Sequence, residues 1–250
     1  MKTFKHNLLF FVAVAFLSTY ATFAQDQMYV IHIDHVKPSM KMEYEKVAKE
    51  FAEACKTYNL KDFDFSTFRY DDGSYVYSSP IKSYADLDKN PVEPLMEKMG
   101  KAKFQSMFER FDKCYDSHTN ITATLLSGLS YIPDGKLNEG SFRKNYFFYV
   151  TPSNSKAVAQ KLKEVKDLFT KKGTNQHYVV LHSGFGASEE FYVVILAAKN
   201  EMDYQKTADA DDILLGNEWQ TKWNELYALI NKVEVVTGSF REDLSYITKK

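Results

Sequence analysis

What this chain lacks narrows its chemistry first. It has only two cysteines, Cys55 and Cys114, in 250 residues. That excludes a disulfide-dense scaffold and a paired-cysteine metal motif. It has no basic excess: 32 Lys and Arg stand against 33 Asp and Glu. A nucleic-acid partner needs a basic face, so none is expected. There is no Gly-x-Ser-x-Gly elbow, no phosphate loop and no Gly-x-Gly-x-x-Gly fingerprint. Several common hydrolase, nucleotide and dinucleotide chemistries are thereby set aside. The longest apolar run, Leu8 to Leu17, has ten residues. A membrane span needs about 20.

That short run has a different meaning. Lys2 and Lys5 precede it, and Thr22-Phe23-Ala24 follows with small residues where a signal peptidase reads. Residues 1–24 are expected to be a signal peptide, cleaved before Gln25. No cysteine follows the run to take a lipid anchor. The mature chain is expected to be exported, periplasmic or secreted, with no stable membrane anchor. Without Lys2 and Lys5 it carries 30 basic residues against 33 acidic.

The chain also says nearly the same thing twice. Leu129-Ser130-Tyr131-Ile132 returns as Leu244-Ser245-Tyr246-Ile247. Phe104-Gln105-x-x-Phe108 returns as Trp219-Gln220-x-x-Trp223, and Pro38-Ser39 as Pro152-Ser153. A period of about 115 residues is a domain duplication, not a solenoid of short units. The expected organisation is one repeat over 25–134 and a second over 135–250. Cys55 then aligns with Phe169 and Cys114 with Leu229. Both cysteines fall on core positions, where unbridged thiols are expected.

Each repeat reads the same way. A strand over 29–36 ends at Pro38, with Ser39 as an N-cap. Apolar residues at 44, 47, 48, 51, 55 and 58 make one helical stripe, matched by Val158, Leu162, Val165 and Phe169. Strands at 63–70 and 74–80 flank the hairpin signal Asp71-Asp72-Gly73. Their counterparts are 177–183 and 190–198. A less regular stretch follows in each repeat. A helix carrying Phe104, Phe108 and Phe111, or Trp219 and Trp223, comes next, then a β-rich tail. Trp219 and Trp223 are expected in the core.

The order is β-α-β-β-α-β twice, α+β and ferredoxin-like. Two such antiparallel sheets facing each other within one chain would make an α/β barrel with helices outside. No homodimer is then required to cover them. With Val36-Lys37-Pro38-Ser39 at the first strand-to-helix junction, the chain resembles the dimeric α/β-barrel superfamily. That group includes antibiotic-biosynthesis-monooxygenase-like, stress-responsive barrel and NIPSNAP-like families. The resemblance implies the fold. Members include cofactor-free oxygenases, haem-handling enzymes and proteins without known activity, so it assigns no residue.

Candidate chemistry sits on the first strand. His32 and Asp34 share one face and Ile31 and Ile33 the other. His32 and Asp34 are expected to point into the barrel, with Tyr146 and Phe148 opposite. His32 is the candidate catalytic residue, an imidazole near a carboxylate. His182 is a further candidate for the ligand site. His32-x-Asp34 lacks enough partners for metal, so no metal and no cofactor is expected. Asp209, Asp211 and Asp212 read as a solvated acidic loop. Two functions follow. One is an exported protein binding a small apolar or aromatic molecule in a barrel pocket. The other is a cofactor-free oxygenase- or isomerase-type enzyme using His32. A cavity and its lining would discriminate between them.

Overall fold

The protein is described from a computed structural model, which covers residues 26–248. Eight strands close into one antiparallel barrel. They are β1 (Gln27–Val36), β2 (Ser66–Tyr70), β3 (Ser74–Ile81), β4 (Tyr115–Leu125), β5 (Phe142–Tyr149), β6 (Tyr178–Ser183), β7 (Phe191–Ala198) and β8 (Lys232–Phe240). The helices are α1 (Lys41–Thr57), α2 (Glu93–Met99), α3 (Lys101–Asp112), α4 (Ser155–Lys172), α5 (Glu201–Leu215) and α6 (Asn217–Tyr227). Around the barrel the order is β1-β3-β2-β8-β5-β7-β6-β4. The first four strands are therefore contiguous, and so are the last four. Two seams join them, β2 to β8 and β4 to β6. None of these helices is long and apolar enough to cross a membrane.

The apolar stripes predicted for α1 and α4 are the faces they bury. Tyr44, Val47, Ala48, Phe51 and Cys55 are buried on α1, and Val158, Leu162, Val165 and Phe169 on α4. The start of α1 differs from expectation. A 3-10 turn over Pro38–Met40 leads in, and no side chain caps the helix, so Ser39 is not an N-cap. The hairpin at 71–73 forms as read. Gly73 takes φ 92°, and Asp72 Oδ1 accepts from the Ser74 amide at 2.9 Å. The irregular stretches hold more structure than the sequence suggests, namely α2 and the 15-residue α5.

Three apolar layers result. Tyr44, Phe51, Phe65, Tyr75 and Phe111 fill the space between the first four strands and their helices. Leu162, Phe169, Phe148, Tyr178 and Leu196 form the corresponding layer in the second half. Ile31, Ile121, Leu181, Val193 and Phe147 cluster without any helix residue. That third layer is the barrel interior.

The layers reverse the expected facing of β1. Ile31 points into the barrel, while Asp34 and Val36 lie on the opposite face, under α1. His32, Tyr146 and Phe148 also face the helices. The reason is physical. Both faces of this sheet are covered, so alternation shows that two faces exist without marking which is inside. Asp34 tolerates the helix layer because the Tyr44 hydroxyl on α1 donates to its Oδ2 at 2.6 Å.

The recurring Leu-Ser-Tyr-Ile segments do equivalent structural work at the two seams. Tyr131 exchanges backbone hydrogen bonds with Tyr178, and Tyr246 with Phe65. Ser130 Oγ accepts from the Val180 amide, and Ser245 Oγ from the Thr67 amide. Tyr131 hydroxyl donates to Thr174 O, and Tyr246 hydroxyl to Leu60 O. Each segment thus fastens its own half to the other. Both cysteines are free and buried in the first apolar layer.

Candidate functional site

A cavity of about 300 Å³ opens between the outer face of β5, β6 and β7 and the three helices above it. Its floor is Lys144, Tyr146 and Phe148 from β5, Val194 and Leu196 from β7, and Gln176 and Tyr178 at β6. The alternation of these positions puts them on one face. Its roof is Leu162, Val165 and Phe169 of α4, Tyr204, Ala208 and Asp211 of α5, and Trp219 and Trp223 of α6. Gly216, at φ 61°, turns α5 into α6 and brings both tryptophans over the sheet. The corresponding layer of the first half holds Phe104 and Phe108 stacked at 4.4 Å, with Phe108 against Phe51 at 5.8 Å. The two layers share a plan, with paired phenylalanines in the first where the second has paired tryptophans.

The walls are aromatic and ordered against each other. Trp219 and Trp223 lie 5.0 Å apart between centroids. Trp223 meets Phe148 at 5.8 Å, and Trp219 meets Phe169 at 5.6 Å, both edge-on. Both tryptophans are half-buried. They pack on the core as expected and also form the cavity wall.

Polar groups enter this apolar space at named points. The Tyr146 and Tyr204 hydroxyls share a hydrogen bond of 3.0 Å. Burial, reinforced by that bond, pushes the Tyr204 phenol well above its ordinary value, so it stays protonated. Lys144 Nζ stands 4.5 Å from the Tyr204 ring centroid. Asp211 is 3% exposed and accepts from the backbone amides of Asn175 at 3.0 Å and Gln176 at 2.8 Å. It is a helix-borne structural anchor, not part of a solvated loop. Its neighbour Asp212 lies at the rim, where partial desolvation, helped by the charges of Asp209 and Asp211, outweighs a lowering hydrogen bond from Trp219 and raises its pKa.

The residues expected to share one site are divided. Tyr146 and Phe148 line this cavity. His32 and Asp34 lie on the first half, Asp34 under α1 and His32 partly exposed beside Tyr77 and His118. His32 Nδ1 bonds Asn120 Oδ1 at 2.8 Å, and its Nε2 lies 3.0 Å from Asp34 Oδ1. His182 is apart from both. It stacks on Tyr192 at 4.4 Å, with Nε2 3.0 Å from Glu190 Oε1. Ser155 Oγ also donates to Glu190. Serine, glutamate and histidine therefore meet with the carboxylate in the middle. The histidine cannot take the serine proton, so this is no nucleophile arrangement. Among the described residues, no three His, Cys, Asp or Glu side chains converge to hold a metal. The cavity lining offers haem iron no His, Cys or Met ligand. Two of its three phenols, Tyr146 and Tyr204, are engaged with each other.

Lys144, Gln176, Tyr178 and Tyr204 were not signalled by the sequence. They come from three separate segments and belong to no motif. The one available signal was the first-strand equivalence of the repeat, which flagged Tyr146 and, two residues earlier on the same face, leads to Lys144.

No family model and no curated protein matches this chain. Solved structures do. An anthrone oxidase-like protein superposes with a TM-score of 0.59 at 13% identity, over 88% of this chain and 93% of that one. A protein of Lactobacillus acidophilus NCFM, provisionally assigned as a monooxygenase, gives 0.55 at 9% identity, over 89% and 96%. A mutant chlorite dismutase from Candidatus Nitrospira defluvii gives 0.51 at 7% identity, over 87% and 92%. These likenesses show the fold alone, a closed antiparallel barrel with helices outside. Three differently named proteins share it, so the fold does not choose among activities.

Proposed function

We propose that this protein binds a small, largely apolar aromatic molecule in the cavity of its second half. The carrying observation is the ring-walled space under Trp219 and Trp223, into which Lys144 and the Tyr146–Tyr204 hydroxyl pair enter. Concave, mostly apolar sites with a few placed polar groups are the usual form of small-molecule sites. The neutral probe N-phenyl-1-naphthylamine should bind with enhanced fluorescence at one site per chain. Ala208→Trp, which fills the cavity from α5, should abolish that signal without lowering the melting temperature by more than a few degrees. Unchanged probe binding in that variant would overturn the reading.

A second reading is favoured by the hydroxyl pair Tyr146–Tyr204 beside Lys144. These groups could relay a proton to or from a bound phenol or enol, as a cofactor-free oxygenase- or isomerase-type enzyme would require. The anthrone oxidase-like and monooxygenase neighbours make anthrone a rational first substrate. Oxygen uptake on adding anthrone should exceed the protein-free rate and fall at least tenfold in Tyr146→Phe; no excess uptake removes this reading.

The matched motifs and the repeated strand order support a tandem duplication of a ferredoxin-like unit. Export is supported by residues 1–24, which lie outside the described residues, and N-terminal sequencing of exported protein should begin at Gln25.

A further inference from the structure

We propose that the ligand of this cavity is an amphipathic organic anion. Its charge would sit at Lys144, and a distal hydroxyl or amide would meet Gln176 and Tyr178. The proposal rests on the binding reading above and adds the ligand's charge and polarity.

Lys144 supplies the first half of the argument. Its Nζ lies 4.5 Å from the Tyr204 ring centroid and 5.6 Å from that of Tyr146. Among the described residues it makes no ion pair. Ring faces attract a cation but carry no net charge to neutralise it. A carboxylate or sulfonate would. The adjoining Tyr146–Tyr204 pair uses one of its two hydroxyl protons internally. The other remains free to donate, so an anion here meets an ammonium and an O–H together.

The opposite end supplies the second half. Among the described residues, Gln176 Oε1 and Tyr178 Oη have no hydrogen-bond partner, yet each residue is only 4% exposed. Buried polar groups are ordinarily paired, and an unmet one is costly. Both residues line the cavity. The register places this end relative to Lys144. Tyr178 sits opposite Leu196, and Leu196 opposite Lys144. Three strands in one row put Tyr178 and Lys144 about 10 Å apart. A two-ring aromatic body fits that span.

The remaining charges set the orientation. Asp211 already accepts from two backbone amides. Asp212 lines the same cavity, and its charge also acts on Tyr204. Asp211, docked on the Asn175 and Gln176 amides, repels an anion from that end and leaves the Lys144 end as its seat.

The test uses two probes with the same rings, one charged and one neutral, on the mature chain. These are 8-anilinonaphthalene-1-sulfonate and N-phenyl-1-naphthylamine. The sulfonate should bind more tightly. Lys144→Gln should weaken it roughly tenfold, which corresponds to about 1.4 kcal/mol, and leave the neutral probe unchanged. Equal effects on both probes, or none on the sulfonate, would overturn the proposal while leaving the cavity reading intact. If neither probe binds, the cavity reading fails first. For the distal group, 6-hydroxy-2-naphthoate should displace the sulfonate several-fold better than 2-naphthoate, and Tyr178→Phe should erase the difference. Equal displacement by the two acids in the unmodified protein overturns the distal contact.

Discussion

His32 has an acceptor at each ring nitrogen, Asn120 Oδ1 at 2.8 Å and Asp34 Oδ1 at 3.0 Å. When protonated, the ring presents an N–H to each of these oxygens, so both contacts favour the charged form. Burial opposes that charge. The hydrogen bond to Asp34, its charge and the bond to Asn120 outweigh burial and raise the His32 pKa above 6.5. A raised folded pKa stabilises the native state below the unfolded value and loses that contribution as pH climbs through the folded one. The melting-temperature gap between the wild type and His32→Asn should therefore be widest below pH 6 and shrink toward pH 9. A gap that grows with pH would contradict the pairing. The thiols offer a second check. Burial pushes Cys55 up to about 12, and Cys114 is also raised by burial. Native protein should resist a disulfide reagent at pH 8, and denatured, non-reduced protein should titrate two thiols.

Helix α5 is where sequence reading and structure part most clearly. Its inward positions are Tyr204, Asp211 and Leu215, so a carboxylate occupies the stripe. Its outward positions include Met202 at 82% exposure and Ile213 at 85%. A period search keyed to apolar residues finds little there, because the helix is held partly by a carboxylate docked on the backbone before β6. Asp211→Ala should cost about 2–3 kcal/mol, since it orphans two amides in a buried turn. A denaturation midpoint equal to wild type would refute that role. By contrast, α1 and α4 were legible because each stripe is apolar and the two agree. The hairpin at 71–73 was legible because Asp and Gly met a conformation few other residues adopt. Four aromatic members of the site, Tyr146, Phe148, Trp219 and Trp223, were noticed through the repeat. Gln176 and Tyr178 were not, because a polar atom left unpaired in the interior leaves no mark in the sequence.

At the scale of the whole molecule, the barrel has no free edge because each half completes the other. A closed antiparallel sheet leaves no strand to pair with a stranger. Ser245→Ala removes the acceptor for the Thr67 amide. It should cost about 1–2 kcal/mol and show as faster amide exchange at Thr67, in the opposite half of the chain. Exchange confined to the second half would mean that the tail fastens only its own strands. Calorimetry should show a single transition, with no separate melting of either half.

The crossed fastening also bears on how the chain is made. The hydrogen bond between Thr67 and Ser245 joins residues 178 apart. The second strand must wait for nearly the whole remaining chain to be synthesised before its last partner exists. Contacts so distant in sequence form late and slowly. A ribosome-bound chain stopped near residue 134 should therefore be cut readily by protease around β2, and protection there should arrive only once residues beyond 246 have left the exit tunnel. That delay keeps the barrel open until synthesis is nearly complete, so closure is a property of the finished chain.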